Sequence, residues 1–337
     1  AAIGSLSFAF TDSFWFNAVE AEVYAMSSLF IALLFYAGLR WERAMFNPHG
    51  HRWLLLICFI VGLSFGVHFM SLLTIPAIGM LYYFKHTRQV TWANFIVANI
   101  VTAAILLFVF LFLLPQTMTF FGNAEIFFTN SLGMPFNSGT IIAGLIVIAI
   151  FYFGLRYTRN KEYVHLNTIL LGILFIFIGF SSWIMLPIRA NAGTVINENN
   201  PSDARELLAY YNREQYPETK LLYGPYFTEK YVGLDPNEPY VDGKPNYERD
   251  YDENKYIIVN DWKLSKQNID AAQKGFLPRM WNSSKAVTYL MFTGGLDFTL
   301  RPEYLQEAQL VEEINQLRAA HMMGDLEPED YDLIFTT

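Results

Sequence analysis

Long apolar runs separated by short basic segments dominate the first 188 residues. A helix that crosses the hydrocarbon core of a bilayer, about 30 Å thick, needs about 20 mostly apolar residues. Alone or with their flanks, four runs qualify, at 24–39, 94–114, 139–155 and 167–188, and a longer run covers 53–84. Because only helices and closed barrels satisfy their backbone polar groups in lipid, residues 1–188 are predicted to form a polytopic helical membrane domain.

The charges between the runs predict which ends face the cytoplasm. All eight Lys and Arg residues before Pro187 lie in three segments, 40–52, 85–88 and 156–161. By the positive-inside rule these segments are cytoplasmic. The run 53–84 must then cross twice, so we predict two short helices at about 53–66 and 69–84, with the turn near Gly66-Val67-His68.

The same alternation places three other segments on the outer side. They are the acidic stretch before Tyr24, the loop 115–138, which contains no Lys or Arg, and everything after Ile188. Residues 1–10 are interpreted as the end of an earlier helix.

Residues 189–337 have a different composition from the membrane part. They hold 25 acidic and 15 basic residues, whereas the part before Pro187 holds six and eight. This acidic balance argues against the binding of nucleic acid or of an anionic lipid surface by this part of the chain. The lone Cys58 provides no disulfide framework. We predict a soluble, mixed α/β, non-cytoplasmic domain with a helix that starts at Asp203 and Glu206 as a capping box, strands at 221–227 and 256–259, a loop at 232–254 and a helix at 302–323.

Three carboxylates, Asp12, Glu20 and Glu22, stand among aromatic residues just before the first complete span. A carboxylate at the membrane surface is costly to desolvate, which makes it a functional candidate. If residues 12–22 are helical, Glu20 lies about 80° from Asp12 and Glu22 about 80° to the other side, so all three can face one cavity. The alternatives are that Asp12 is a helix N-cap and that Glu20 and Glu22 are simply solvated.

Two further candidates lie on the same predicted face. His68, at the hairpin turn, is either a packing residue or a hydrogen-bonding group for a sugar or phosphate. Arg189 is either an interfacial anchor or a ligand for a lipid phosphate, which guanidinium binds in bidentate fashion. The aromatic residues of the loop Thr117–Phe136 form an interfacial belt or contact a lipid chain or sugar; they include Phe120, Phe121, Phe127 and Phe128.

Four stretches resemble a family of large many-pass bacterial membrane proteins, best known from Bacteroidota: SFAFTDSFWFNAVEAEVYAMSSLF, GLSFGVHFMSLLTIPA, NPSDARELLAYYNREQYPETKLLYGPYF and FLPRMW. That family is similar to animal transmembrane protein O-mannosyltransferases and belongs to the glycosyltransferase-C superfamily. The resemblance implies a polytopic transferase that uses a polyprenyl-phosphate sugar on the non-cytoplasmic side. It also implies that the principal catalytic acid lies in a first outer loop upstream of Ala1, so that the chain is a fragment lacking the first helix and that loop.

The resemblance implies an inverting transfer of a mannose-type hexose to a protein Ser or Thr hydroxyl in the periplasm of a bacterium, with the helices in the inner membrane. Asp12 or the upstream acid is then the base, Glu20 and Glu22 orient groups or hold a metal, and His68 binds substrate. The phosphate is neutralised by Arg189 or by a divalent cation held by carboxylates. The expected partners are membrane lipid, the polyprenyl-phosphate sugar and a protein or glycan acceptor.

Other functions remain open at this point. A transferase that acts on a glycolipid or polysaccharide is the nearest alternative. A transporter is disfavoured because the ionisable groups cluster at one face and not at mid-membrane. A scaffold with a partner-binding acidic tail is disfavoured because at least six passes exceed the needs of an anchor.

Overall fold

The computed structural model is mainly helical in its first part and has small strands in its C-terminal region, which confirms the predicted fold class. It describes residues 2–293 except 21, 215, 217–221, 232, 244, 260–262 and 270–272, and then 306, 308–309, 311–313 and 315–316. The helices α1 to α12 cover Ala2–Ala9, Asp12–Val19, Tyr24–Ala44, His51–Ser64, Thr74–His86, Trp92–Leu107, Leu114–Ile126, Ser138–Asn160, Val164–Phe180, Met185–Ala190, Ala204–Tyr211 and Ala286–Thr293.

Among the described residues, four continuous helical stretches are long and apolar enough to cross a membrane: Tyr24–Ala44, Trp92–Ser131, Ser138–Asn160 and Val164–Ala190. The run 53–84 is divided into α4 and α5, with turns at 65–67 and a 3₁₀ segment Phe69–Leu73 between them. The break therefore falls where the loop charges predicted a hairpin turn. The number of passes and the boundary at residue 188 remain predictions.

Helices α4 and α9 approach each other through glycines. A Cβ atom on Gly62 would lie 2.0 Å from the Ile176 carbonyl oxygen, and one on Gly179 would lie 2.2 Å from that of Phe59. Backbones in membrane proteins pack this closely where small residues line the crossing. This contact fixes the 14-residue α4, which is too short to span hydrocarbon by itself, against a longer helix.

The prediction that residues 115–138 form a loop is wrong for most of this segment. Residues up to Ser131 continue the helix that begins at Trp92. Pro115 is tolerated where the wider π-helical turn Phe108–Leu113 ends and α7 begins. A helix of 40 residues is about 60 Å long, twice the hydrocarbon thickness. Unless it is tilted far beyond the usual range, one end extends well outside the hydrocarbon.

The chain divides into two compact units, one formed by Ala1–Gln215 with Tyr247–Ile257 and the other by Tyr216–Asn246 with Ile258–Thr337. Strands β1 to β6 cover Tyr223–Pro225, Tyr240–Asp242, Tyr247–Asp250, Lys255–Ile258, Lys263–Ser265 and Lys274–Phe276. Within the described residues they form three two-stranded sheets, β1 with β6, β2 with β5, and β3 with β4.

Part of the prediction for the C-terminal region is confirmed. Asp203 caps α11 by accepting from the backbone N–H groups of Arg205 and Glu206. Glu206, however, accepts from the backbone N–H and the hydroxyl of Ser202, one residue before the position that a capping box requires. The predicted loop 232–254 is wrong in part, because β2 and β3 lie within it. Most of the predicted helix 302–323 lies outside the described residues.

Candidate functional site

The three acidic candidates do not share one helix. Helix α2 begins at Asp12, its N-cap is Thr11, and it ends at Val19 with Glu20 in an extended conformation. Asp12 is therefore not the N-cap, and the 80° spacing that assumed a helix through residue 22 does not apply. All three carboxylates are exposed to solvent. In the described part of the chain, no group of three or more His, Cys, Asp and Glu side chains is placed to hold a metal ion.

His68 lies next to the start of the first long helix. Its ring centroid is 5.8 Å from that of Tyr24, two residues after Glu22 in the chain. His68 Nδ1 accepts a hydrogen bond of 3.1 Å from the backbone N–H of Met70. The neutral imidazole therefore carries its proton on Nε2. The structure thus brings the end of the acidic segment and a hydrogen-bond donor at the hairpin turn to the same end of the helices.

Arg189 lies at the end of α10, which continues α9 after a 3₁₀ segment Ser181–Ile184. Its side chain is exposed. The hairpin turn contacts this same helical stretch, because a Cβ atom on Gly66 would lie 2.8 Å from Ser182 Oγ. Arg189 therefore follows, by two helical turns, the point where the chain meets the hairpin turn.

A group that sequence reasoning missed is a buried carboxylate, Glu125, on α7. Its side chain is fully buried. Oε1 accepts from the backbone N–H of Asn137 at 2.5 Å, and Oε2 accepts from the backbone N–H and the hydroxyl of Thr140, both at 2.8 Å. Asn137 is the N-cap of α8 but makes no side-chain cap bond. Glu125 therefore caps α8 from another helix, where a negative charge is stabilised by the helix dipole.

The β3–β4 hairpin completes this arrangement. The hydroxyl of Tyr256 lies 3.2 Å from Glu125 Oε1 and 3.2 Å from Asp203 Oδ2. Arg249 donates from Nε to Asp203 Oδ2 at 2.9 Å and from Nη2 to Asn137 Oδ1 at 2.9 Å. We call these five residues, Glu125, Asn137, Asp203, Arg249 and Tyr256, the carboxylate network.

Electrostatics favour this pairing. Burial raises the pKa of Tyr256, and the Asp203 carboxylate adds to the effect, so the phenol stays protonated. Burial opposes the charge of Arg249, but the Asp203 carboxylate and Tyr256 more than offset it and raise its pKa. The network therefore pairs a permanent cation with buried carboxylate oxygens and joins the ends of α7, α8 and α11 to the hairpin.

One signal in the sequence pointed to Glu125. It is a single carboxylate after a long apolar run, and such a residue is a candidate by default because it needs partners. Its partner Tyr256 lies 131 residues further along the chain, so no local pattern could have identified the pair.

The arrangement defines a class of protein: a polytopic helical membrane protein with an extramembrane α/β part and polar groups gathered at one end of its helices. Residues 1–91 match the family described as "Protein O-mannosyl-transferase TMEM260 N-terminal domain", so this part is similar to the animal O-mannosyltransferase. Residues 217–317 match a family of unknown function, DUF8416. No curated protein and no solved structure matches the chain.

Proposed function

We propose that this chain is part of a membrane glycosyltransferase that moves a mannose-type hexose from a polyprenyl-phosphate donor to a protein Ser or Thr hydroxyl on the non-cytoplasmic face. The observation that carries the proposal is the match of residues 1–91, which include both the AVEAEVY and the GVHF stretches. The contact between Tyr24 and His68 supports it, because these two stretches meet at one end of the helices.

The proposed reaction is a single displacement. A carboxylate, proposed to be that of Asp12, takes the proton from the acceptor hydroxyl. The acceptor oxygen bonds to the anomeric carbon while the bond from that carbon to the phosphate oxygen breaks, and the lipid phosphate leaves with the electron pair. Inversion at the anomeric carbon follows from this attack on the face opposite the leaving group.

The remaining candidates act on the donor. Arg189 is proposed to bind the leaving phosphate, because a guanidinium offers two parallel N–H groups to two phosphate oxygens. His68 is proposed to donate its Nε2–H to a sugar or phosphate oxygen. Glu20 and Glu22, both exposed near the same end, are proposed to orient the sugar or to contribute oxygen ligands to a divalent cation.

The test uses the intact natural protein in membranes, with a radiolabelled polyprenyl-phosphate mannose and a Ser/Thr-rich peptide acceptor. The variants Glu20→Gln, Glu22→Gln and Arg189→Ala are each expected to lower kcat at least tenfold. Arg159→Ala, an exposed arginine at the opposite end of the helices, is the matched control and keeps full activity. Full transfer by all three test variants would discard the residue assignment, and no transfer by the unaltered protein with any lipid-linked hexose would discard the reaction.

A further inference from the structure

A groove at the opposite end of the helices is lined by three nitrogen-bearing side chains. It lies at the start of α4, has a volume of about 370 Å³, and is lined by Pro48, His49, His51, Arg52 and Leu55. The two histidines and Arg52 are exposed, and in the described part of the chain none of the three forms an ion pair. Three nitrogen-bearing side chains without a carboxylate partner around one groove are suited to an anion.

The surroundings reinforce the positive field of this groove. The guanidinium of Arg40 lies 5.1 Å from the centre of the Trp53 ring. Trp53 directly follows Arg52, which lines the groove. The nearby carboxylate of Glu42 is already paired with Lys85 at 2.5 Å. An anion in the groove therefore meets the unpaired charge of Arg52, with no free carboxylate among these neighbours to repel it.

The position of the groove at the start of α4 points to a lipid as the source of the anion. Helix α4 has 14 residues, so it is about 21 Å long and shorter than the hydrocarbon core. If α4 crosses the bilayer, as the loop charges predict, local thinning draws lipid headgroups toward its ends, where flanking arginines can bind them. Leu55 lines the groove one turn into the helix, so an acyl chain can continue along an apolar surface from a phosphate held by Arg52.

We propose that this groove binds the headgroup phosphate of an acidic glycerophospholipid, with Arg52 as its principal ligand and His49 and His51 as additional donors. Neither the candidate reaction site nor the matched families assign a site here. The groove is separate from the proposed chemistry, so this inference stands or fails independently of the transferase proposal.

The experiment measures binding of phosphatidylglycerol to the full chain in detergent by native mass spectrometry, with short-chain phosphatidylcholine as the neutral comparison. Arg52→Gln is expected to weaken phosphatidylglycerol binding about tenfold, the effect of one lost charge-assisted hydrogen bond. Arg159→Gln removes the same charge from an exposed position elsewhere at this end and is expected to change binding less than twofold. Arg52→Lys, which keeps the charge, is expected to retain intermediate affinity and shows that the fold is intact.

Two results would overturn the inference. If Arg52→Gln and Arg159→Gln weaken binding equally, the attraction is a general effect of surface charge. If inorganic phosphate displaces phosphatidylglycerol at equal concentration, the groove recognises a free anion and not a lipid. Retention of phosphatidylglycerol against excess inorganic phosphate, together with selective loss in Arg52→Gln and in His49→Gln/His51→Gln, supports it.

Discussion

Replacing Glu125 with glutamine tests whether the carboxylate network stabilises the first unit. The substitution keeps the volume of the side chain but exchanges one acceptor oxygen for an NH2 donor. If the amide nitrogen takes the Oε2 position it opposes the Thr140 backbone N–H, and at the Oε1 position it opposes that of Asn137. Neither orientation satisfies both backbone donors.

The expected cost follows from this count. One charge-assisted hydrogen bond is lost, worth about 1.5–3 kcal/mol, and the others become neutral and weaker. Since Glu125 is fully buried, solvent cannot replace the lost partner. We therefore expect Glu125→Gln to destabilise the first unit by about 2–4 kcal/mol, which lowers its melting temperature by on the order of 5–10 °C for a unit of this size.

The assay is loss of the monodisperse protein peak after heating, measured by size-exclusion chromatography in detergent. Glu248→Gln is the matched control, because it makes the same chemical change at an exposed position on β3. A cycle with Tyr256→Phe isolates the hydrogen bond between the phenol and Glu125. If the double variant loses less than the sum of the single losses, the two groups interact. Melting of Glu125→Gln at the temperature of Glu248→Gln would refute the reasoning.

Three further predictions concern other parts of the chain. His68→Asn keeps an acceptor near the Nδ1 position but removes the Nε2 donor, so we expect the intact protein to lose at least tenfold of its sugar transfer. His68→Gln places an N–H near Nε2 and is expected to recover part of that activity. Equal activity of the unaltered protein and both variants would contradict the donor role. Gly62→Ala places a methyl group against the Ile176 carbonyl and should destabilise the first unit by about 1–3 kcal/mol, measured by the same heating assay; unchanged melting would rule out the close crossing of α4 and α9. Burial raises the pKa of Glu229 above its ordinary value of 4.5, although a hydrogen bond from Ser283 opposes the shift. The folded second unit therefore holds the Glu229 proton more tightly than the unfolded chain does. The stability of this unit falls as the pH rises from the ordinary value of 4.5 through the raised pKa. Glu229→Gln should flatten that slope in urea unfolding of the full chain followed from weakly acidic to neutral pH, and an unaltered slope would contradict the assignment.

The sequence predicted what depends on local composition. Apolar runs located the long helices, and loop charge located the break between α4 and α5. The helical cap at Asp203 was also readable, because capping uses side chains only a few residues apart. These features follow from contacts within one or two turns of chain.

What the sequence did not predict depends on distant partners or on very short elements. Residues 115–131 looked like a loop because polar side chains interrupt the apolar pattern, yet Glu125 is satisfied within a helix by Tyr256. Strands β2 and β3 have only three and four residues, too few to show a period of two. The prediction that Asp12, Glu20 and Glu22 face one cavity assumed a helix that continues through residue 22, but this helix ends at Val19.

The carboxylate network also sets an order of events during synthesis. Asn137 and Arg249, which it joins, are 112 residues apart in the chain. At about 5–20 residues per second, the ribosome needs roughly 6–20 s to make the intervening segment. During that interval Glu125, at the corner between α7 and α8, has not yet been joined by Arg249 and Tyr256. The network at the ends of these helices is therefore completed only after the β3–β4 hairpin has been translated.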